Sequence, residues 1–321
     1  MQYVRFGSTG IKVSRICLGC WSFGTSEWMS EMKGAKNIME RAIDLGINFF
    51  DTANVYSMGR SEEIIGEILK DYRDDVILAT KVYFPMGDGP NEQGLSRVHI
   101  LHQIEGSLKR LQTDYVDLYQ THRWDNNTPI EETLRTFDDL IHQGKIRYCG
   151  ASSMWAWQFA KALWTSEQLG IARFVSMQNF YNLCYREEER EMIPLSQDQG
   201  IALIPWSPLA RGFLTGKYKR DKVPESLRYQ HERNLRERFF KPEDFDIIEL
   251  VEEVAREKGV NPAQIALAWL FQKQYITAPI IGFSRVEHVE EAVEALDIKL
   301  NTNDIERLEE PYKSHNVMGH E

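Results

Sequence analysis

The sequence predicts an α/β fold, a single closed (β/α)8 barrel of the TIM type, from three observations. Eight short runs rich in apolar residues recur along the 321 residues, as in strands that are buried on both faces. Segments with apolar residues about 3.6 positions apart, the helical period, separate the runs. Eight alternating strand–helix units are the number that closes a barrel. The runs are 15–19, 47–50, 76–80, 115–119, 146–150, 174–178, 201–205 and 278–282.

Two of the intervening helices carry clear signals at their start. Ser61 is predicted to cap one helix, and Glu62 follows in the first turn, where the helix dipole favours negative charge. Asn261 is predicted to cap another, with Pro262 as its first helical residue, because proline at that position loses no helical hydrogen bond. Both helices fall between consecutive apolar runs, as a barrel requires.

The remaining segments are predicted to decorate the two ends of the barrel. Residues 1–14 are expected to form a hairpin, with Gly-Ser-Thr-Gly as its turn, that closes the N-terminal end. A long charged insertion is expected from 206 to about 245, and the substrate loops are expected within 22–34, 83–96 and 219–245. The sequence has no Pro/Gly/Ser-rich linker and no repeat beyond the strand–helix unit. One domain spanning 1–321 is therefore expected.

A doubly wound nucleotide-binding sheet is the main structural alternative. Its fingerprint, G-x-G-x-x-G after the first strand, does not occur in this sequence. The string "GFLTGK" at 212–217 resembles a phosphate loop, but its spacing is one residue short. Tyr218 also stands where that loop needs Ser or Thr. The barrel remains the favoured interpretation.

Composition and charge narrow the function classes. Hydrophobic residues make up 42% and charged residues 27% of the chain, which is typical of a soluble globular protein. The net charge of −10 disfavours a nucleic-acid surface. No apolar run approaches the roughly 20 residues of a membrane helix, so no membrane partner is expected. The start of the chain lacks the apolar core of a signal peptide, and the cytoplasm is the expected compartment.

The four cysteines do not predict a disulfide framework in a chain of this length. Cys17 and Cys20 form a C-x-x-C, but a zinc site would need a second ligand pair at suitable spacing. We therefore expect both thiols to pack in or beside a strand, and no metal site is predicted.

Candidate catalytic residues follow the apolar runs, because barrel active sites lie at the C-terminal ends of the strands. Asp51 and Tyr56 follow the second run, Lys81 the third and His122 the fourth. Together they suit proton transfer to an oxygen. A free tyrosine has a pKa of about 10, and a neighbouring ammonium lowers it. A carboxylate keeps the lysine charged and oriented, and a neutral imidazole can hydrogen-bond the substrate oxygen.

Each of the four also has an ordinary structural interpretation. Asp51 could cap a helix, Tyr56 could be an aromatic at the rim, Lys81 could be solvated and His122 could be structural. Lys81 could instead form a Schiff base, as in barrel aldolases, although a neighbouring carboxylate argues against the lowered pKa that this needs.

At these positions the sequence resembles the aldo-keto reductase superfamily. The resemblance extends over nearly the whole chain and rests on specific strings. They include "GINFFDTANVYSMGRSEEIIG" at 46–66, "ATKV" at 79–82, "DYVDLYQTHRWD" at 114–125, "GKIRYCGASS" at 144–153, "QNFYN" at 178–182 and "PWSPLARGFLTGKY" at 205–218. Two stretches, "THRWDNNTPIEETL" at 121–134 and "MQNFYNLCYREEEREM" at 177–192, more narrowly resemble a bacterial branch. That branch is 1-deoxyxylulose-5-phosphate synthase-like and is related to the potassium-channel beta subunits.

The resemblance implies an NADPH-dependent reductase of aldehydes or ketones. It makes Tyr56 the general acid, Lys81 and Asp51 its partners and His122 the residue that orients the carbonyl. Asp51 and Trp21 would also border the cofactor, and Trp206 would stack on the nicotinamide. The remaining implied cofactor residues are Ser152, Gln178, Ser207, Pro208, Leu209, Arg211, Gly212, Lys217, Arg228, Gly282, Ser284, Arg285, His288 and Glu291.

A basic stretch supports a phosphate-rich cofactor independently of the resemblance. Residues 217–241 hold nine Lys or Arg against four Asp or Glu in an otherwise acidic protein. A solvated surface loop is the alternative for this stretch. Either Arg228 or Arg285 could meet the 2′-phosphate, and the sequence does not choose between them.

The expected partner is a small-molecule carbonyl substrate. Its pocket is predicted to be walled by Trp21, Tyr83 and Trp124, with Arg123 placed to meet a phosphate or carboxylate. Two other functions stay open, conversion of pentose phosphates without net redox and a non-catalytic NADPH-binding regulatory subunit. The sequence predicts neither the physiological substrate nor the oligomeric state.

Overall fold

Eight parallel strands form the barrel in the computed structural model, which describes residues 1–24, 32–220 and 239–320. Each predicted apolar run overlaps one strand, and neighbours along the chain pair in order. The strands are β3 (Cys17–Gly19), β4 (Phe49–Asp51), β5 (Ile77–Val82), β6 (Val116–Thr121), β7 (Ile146–Ser152), β8 (Phe174–Gln178), β9 (Ala202–Leu203) and β10 (Ile280–Ile281).

The sheet closes between its last two strands. The backbone N–H of Thr277 donates to the carbonyl of Leu203 at 2.8 Å, and that of Ile280 donates to Pro205 at 2.8 Å. β10 in turn pairs with β3, so the ring of strands is complete. The predicted (β/α)8 barrel is confirmed.

The predicted N-terminal hairpin is present and closes the barrel from below. Strands β1 (Tyr3–Arg5) and β2 (Lys12–Ser14) pair antiparallel. Phe6 is 1% exposed and meets Phe49 edge to face, with ring centroids 5.6 Å apart. Because Phe49 begins its strand, Phe6 fills the N-terminal mouth of the barrel.

Helices form the outer layer, packed on the barrel through one continuous apolar cluster. They are α1 (Met32–Asp44), α2 (Arg60–Leu69), α3 (Arg97–Leu111), α4 (Ile130–His142), α5 (Ala156–Leu169), α6 (Met192–Asp198), α7 (Asp244–Lys258), α8 (Pro262–Gln272), α9 (Val286–Glu294) and α10 (Thr302–Glu309). None of the helices within the described ranges is both long and apolar enough to cross a membrane.

One of the two predicted helix caps is confirmed and the other is wrong. The side chain of Asn261 accepts a hydrogen bond from the backbone of Gln264, and Pro262 is the first residue of α8. Ser61 instead lies inside α2 and is fully buried, and its hydroxyl donates to the carbonyl of Cys20 at 2.7 Å. Gly59 takes the cap position with a φ of 91°, which a residue with a side chain rarely adopts.

The two thiols of the C-x-x-C are buried, as a packed strand predicts. Cys17 and Cys20 are each 0% exposed, and burial raises the pKa of both thiols well above their ordinary value. In the part of the chain that the structure describes, no group of His, Cys, Asp or Glu is arranged to hold a metal ion.

Alternation along the strands separates an apolar floor from a polar roof inside the barrel. Phe49 and Asp51 point the same way from β4, because residues two apart on a strand share a face. Ala79 and Lys81 do so on β5. The lower residue of each pair joins the inner apolar cluster, whereas the upper residue is charged. Lys81 is paired in register with Gln120. The polar side chains therefore meet at the C-terminal end.

The last residues of the described chain return to this polar end. The buried imidazole of His315 lies 2.9 Å from Asp244 of α7. The backbone N–H of Met318 donates to the hydroxyl of Tyr185 at 3.0 Å. Gly319 lies so close to Trp206 that a Cβ there would be 2.9 Å from its Cζ2 atom. The C-terminal segment is thus part of the surroundings of the site.

Candidate active site

Three of the four predicted catalytic side chains form one hydrogen-bonded chain. The Nζ atom of Lys81 donates to Oδ1 of Asp51 at 2.5 Å and to the hydroxyl of Tyr56 at 3.2 Å. Its third hydrogen goes to the carbonyl of Thr52 at 2.8 Å. Lys81 is 0% exposed, so all three donors of the ammonium are used by the protein. The sequence prediction that these side chains converge holds in the structure.

The second oxygen of the Asp51 carboxylate is held by two amides. Nε2 of Gln120 donates to Oδ2 of Asp51 at 2.9 Å, and Nε2 of Gln178 donates to the same atom at 3.0 Å. Nε2 of Gln178 also donates to Oε1 of Gln120 at 3.2 Å. These contacts satisfy the second oxygen of the buried carboxylate within the protein.

The charge of Lys81 is preserved by its surroundings. Burial alone would lower the pKa of Lys81, but Asp51 and Tyr56 outweigh it and raise that pKa above the ordinary value. The ammonium is therefore retained at neutral pH. A Schiff-base lysine needs the opposite shift, so the geometry disfavours the aldolase-like alternative.

Lys81 acts to lower the pKa of Tyr56, as expected, but it does not decide the net shift of that pKa. Burial is the largest influence and raises the pKa of Tyr56 above its ordinary value, while Lys81 opposes it without reversing it. The phenol is thus fully protonated at neutral pH. Lys81 can still stabilise phenolate character that develops when a proton leaves.

His122 lies beside Tyr56 as a neutral imidazole. The two rings meet edge to face with centroids 5.7 Å apart. The ring of Phe84 also packs edge to face on His122, with centroids 4.8 Å apart. Burial, followed by the charges of Lys81 and Arg123, lowers the pKa of His122 well below its ordinary value. Its Nδ1 atom has no hydrogen-bond partner among the described residues, so ring packing holds its orientation.

Tyr56 is followed by a turn of unusual backbone geometry. Ser57 and Met58 have φ values of 49° and 51°, in the left-handed region that non-glycine residues adopt at a cost. The hydroxyl of Ser57 donates to the carbonyl of Phe23 at 3.0 Å. Gly59 continues the left-handed run before α2 begins. Such strain persists only where the surrounding structure enforces it, and functional sites are where it concentrates.

A cavity of about 540 Å³ opens beside Tyr56 at the C-terminal end of the barrel. Most of the predicted cofactor and substrate residues line it. The predicted residues in its wall are Trp21, Asp51, Tyr56, His122, Arg123, Ser152, Gln178, Trp206, Ser207, Pro208, Leu209, Arg211, Gly212, Lys217, Gly282, Ser284 and His288. Lys81 lies behind this wall and reaches it through Tyr56.

Other predicted residues lie elsewhere. Among the residues that the structure describes, the cavity wall does not include Tyr83, Trp124, Arg285 or Glu291. Tyr83 packs against Phe84 instead, and Trp124 packs against the exposed Trp157 of α5, because both side chains turn toward the outer helical layer. Arg228 falls outside the described residues.

The predicted nicotinamide end of the cavity offers a flat ring and an amide. Trp206 stacks on Phe180 with ring centroids 4.5 Å apart, and its Nε1 donates to the hydroxyl of Ser153 at 3.0 Å. Both Nε2 hydrogens of Gln178 are used by Asp51 and Gln120, so this side chain can offer only its carbonyl oxygen to the cavity. A planar ring that carries a carboxamide fits these groups.

The basic stretch contributes less charge to the cavity than its composition suggests. Arg220 donates to Asp246 of α7 at 2.6 Å, and Lys219 pairs with Glu252 of the same helix. Among the described residues of the stretch, Lys217 and Tyr218 line the cavity. In the described part of this stretch, Lys217 is therefore the basic residue that is placed to meet a phosphate group in the cavity.

The predicted adenosine end has its own polar cluster. Arg285 donates to Nε2 of His288 at 2.8 Å, and the hydroxyl of Ser284 lies 3.3 Å from Nδ1 of the same ring. Burial and the charge of Arg285 lower the pKa of His288 below its ordinary value. A neutral imidazole and a guanidinium thus lie together at the start of α9.

Sequence reasoning missed several residues of the site. Gln120, which stands two residues before His122, was not assigned a role, although it donates to Asp51. The alternation along β6 gives a signal for it, because Gln120 shares the inward face of Leu118. Other unassigned wall residues are Gly19, Ser22, Thr215, Tyr218, Ile280, Ile281 and Phe283.

Comparisons with known proteins agree with this geometry. The model of the aldo/keto reductase family matches residues 15–313. A putative aryl-alcohol dehydrogenase of Saccharomyces cerevisiae is 40% identical, over 98% of this chain and 97% of its own length. Versiconal hemiacetal acetate reductase of Aspergillus parasiticus is 41% identical, over 97% of each chain. An aldo-keto reductase of Fusarium vanettenii is 40% identical, over 100% of this chain and 93% of its own length.

These relatives do not support the narrower resemblance to a bacterial branch that includes channel subunits. They are fungal proteins with the names of aryl-alcohol dehydrogenases and aldo-keto reductases. With a family match over nearly the whole chain and relatives of this similarity, the protein belongs to the aldo/keto reductase family, oxidoreductases that reduce carbonyl groups with a nicotinamide cofactor.

Proposed function

We propose that this protein reduces aromatic aldehydes to alcohols with NADPH, and that Tyr56 is the proton donor. One observation carries the proposal. The hydroxyl of Tyr56 borders the cavity and accepts a hydrogen bond from a buried lysine whose charge Asp51 maintains. A phenol supported in this way can protonate an oxygen that becomes negative during reduction.

Three residues of the site have separate roles in the reduction of the carbonyl group. Bound NADPH would supply the hydride for the carbonyl carbon. Tyr56 donates its proton to the carbonyl oxygen, and Lys81 stabilises the charge left on the phenol. The neutral imidazole of His122 is placed to hydrogen-bond the same oxygen and fix its position. Because Lys81 is shielded from solvent, its charge acts at full strength on Tyr56.

Supporting contacts are proposed along the cofactor. Trp206 would stack on the nicotinamide, with Ser152 and Gln178 at its carboxamide. The loop from Ser207 to Lys217 would follow the pyrophosphate. Two cationic groups favour NADPH over NADH, because a 2′-phosphate adds negative charge. Lys217 lines the cavity, and Arg285 lies beside it through its contact with the wall residue His288.

The choice of aromatic substrates rests on the cavity and on the relatives. Trp21 gives the cavity wall a flat apolar face, and the relatives' names include aryl-alcohol dehydrogenases. Arg123 in the wall suits an acidic substituent. We further propose that 1–321 acts as one domain. The four cysteines are buried and unbridged, which favours the reducing cytoplasm.

The test is turnover with a substrate panel. Purified protein is mixed with NADPH or NADH and with substituted benzaldehydes, aliphatic aldehydes or sugar phosphates, and loss of the reduced cofactor is followed by absorbance. We expect the highest kcat/KM with benzaldehydes and NADPH. Tyr56→Phe should lose about 10²–10⁴-fold in kcat while its affinity for NADPH stays nearly unchanged.

Tyr119→Phe is the matched control for this substitution. Its hydroxyl is buried without a hydrogen-bond partner among the described residues, and it faces away from the cavity. That variant should keep wild-type turnover. Wild-type protein that binds NADPH but reduces no carbonyl compound would instead indicate the regulatory-subunit alternative, and a Tyr56→Phe variant with full turnover would refute the assigned acid.

A further inference from the structure

We propose that Gln120 is a positioning residue that, together with Asp51, fixes which atom of Gln178 faces the nicotinamide carboxamide. The inference rests on the proposed function, because it requires a nicotinamide cofactor in the cavity. The residues that line the cavity in the described part of the chain do not include Gln120. It acts on the cofactor only through its neighbours.

Donor and acceptor counting determines the orientation of both amides. The Asp51 carboxylate can only accept hydrogen bonds, so each glutamine must turn its nitrogen toward it. Gln120 donates to Oδ2 at 2.9 Å, and its own Oε1 then accepts from Nε2 of Gln178 at 3.2 Å. Gln178 donates its other hydrogen to Oδ2 at 3.0 Å. Oε1 of Gln178 is therefore the atom available to a cofactor.

Packing keeps Gln120 in this orientation. Its side chain is 0% exposed, and the side chain of Gln178 is 3% exposed. Gly150 on the neighbouring strand leaves the space that Gln120 occupies, since a Cβ there would lie 3.2 Å from Cγ of Gln120 and 2.3 Å from Oγ of Ser176. In such a closely packed interior, turning the amide would leave buried polar atoms unpaired.

The orientation has a consequence for cofactor recognition. A carboxamide offers an N–H to the Oε1 acceptor, whereas the 3-acetyl group of 3-acetylpyridine adenine dinucleotide phosphate has a methyl in its place. The wild-type protein should therefore bind reduced NADPH more tightly than the reduced acetylpyridine analogue. The loss of one hydrogen bond that leaves a buried acceptor unpaired corresponds to roughly a tenfold increase in Kd.

Two variants of Gln120 test the relay. Gln120→Leu removes both of its hydrogen bonds and leaves Gln178 held by Asp51 alone, so the ratio of the two Kd values should fall by roughly twofold or more. Gln120→Glu loses the donation to Asp51 when the new carboxyl is ionised, but a carboxyl oxygen still accepts from Nε2 of Gln178. Its ratio should therefore stay close to that of the wild type.

The measurement is binding, read from quenching of tryptophan fluorescence by the reduced cofactor. Thr121→Val is the matched control, since Thr121 is adjacent on β6, is also 0% exposed and has a hydroxyl without a hydrogen-bond partner among the described residues. It should keep the wild-type ratio. Circular dichroism checks that each variant is folded. If Gln120→Leu does not fold, Gln120→Met, which also lacks the amide, takes its place.

The outcomes separate this inference from the proposed function. A Gln120→Leu variant with the wild-type ratio, or a Gln120→Glu variant whose ratio falls as far as that of Gln120→Leu, overturns the relay while reduction with NADPH stands. Equal wild-type affinity for NADPH and the analogue also overturns it. Failure of the wild-type protein to bind NADPH would overturn the proposed function together with the relay.

Discussion

Replacement of Lys81 by methionine should destabilise the protein as well as inactivate it. The side chains of Lys81 and Asp51 are 0% and 3% exposed, so the substitution leaves a buried carboxylate without its cation. Removing one partner of a buried ion pair costs about 3–5 kcal/mol. We expect about 3 kcal/mol, at the lower end, because Gln120 and Gln178 still donate to the carboxylate.

A double variant separates stability from activity. Lys81→Met combined with Asp51→Asn removes both charges, and it should recover stability to within about 1 kcal/mol of the wild type. Turnover should stay about 10²–10⁴-fold below the wild type, because Tyr56 no longer has a cationic partner. The free energy of unfolding is measured by urea titration with circular dichroism, and turnover by oxidation of NADPH.

Two results would refute this reasoning. One is a single Lys81→Met variant that unfolds at the wild-type urea concentration, which would mean that the ion pair contributes nothing net. The other is a double variant that regains wild-type turnover, which would mean that Tyr56 does not depend on the ammonium.

The same pair predicts a pH dependence of stability. The pKa of Lys81 is raised above its ordinary value of 10.5 in the folded protein. Its contribution is therefore fully present below that value, and it is lost as pH rises through the higher folded pKa. The difference in unfolding free energy between wild type and Lys81→Met should be constant near neutral pH and should shrink in strong alkali.

Two further predictions concern His122 and the barrel floor. Because the pKa of His122 is lowered well below its ordinary value, a plot of kcat/KM against pH should show no fall near pH 6.5 on the acid side. A fall there that disappears in His122→Asn would contradict the conclusion that the imidazole is neutral. Phe6→Ala should lower the free energy of unfolding by about 3–5 kcal/mol in urea titration and leave turnover per folded molecule unchanged. Its control, Tyr3→Phe on the same hairpin, alters a 51% exposed side chain and should lower the free energy of unfolding by less than about 1 kcal/mol. Equal decreases in the two variants would argue against the role of Phe6 in closing the N-terminal end of the barrel.

Local patterns explain why most of the barrel could be predicted. Runs rich in apolar residues and separated by helical periods require no knowledge of distant contacts, and each of the eight runs overlaps a strand. Asn261 and Pro262 are likewise a local signal, and α8 begins where they predict. Ser61 was misread because its hydroxyl is used by Cys20, a residue 41 positions away, and no local rule reports such a partner.

The site was predictable in position but not in detail. The end of each strand placed Asp51, Lys81 and His122 on one rim. The side-chain directions of Tyr83 and Trp124 were not predictable, because both positions follow strand ends where the backbone leaves the alternating pattern. The pairing of Lys219 and Arg220 with α7 was also hidden, since composition counts charges without showing their partners.

By itself the sequence determined the order of strands and helices, the polar end of the barrel and the four residues at its centre. These depend on residue type and spacing, which a chain carries along its length. Only the tertiary structure decided that Tyr56 has a raised pKa, that Gln120 and Gln178 share one carboxylate oxygen, and that His122 is neutral. Burial and hydrogen-bond partners arise from strand register and packing, so they exist only once the barrel has closed.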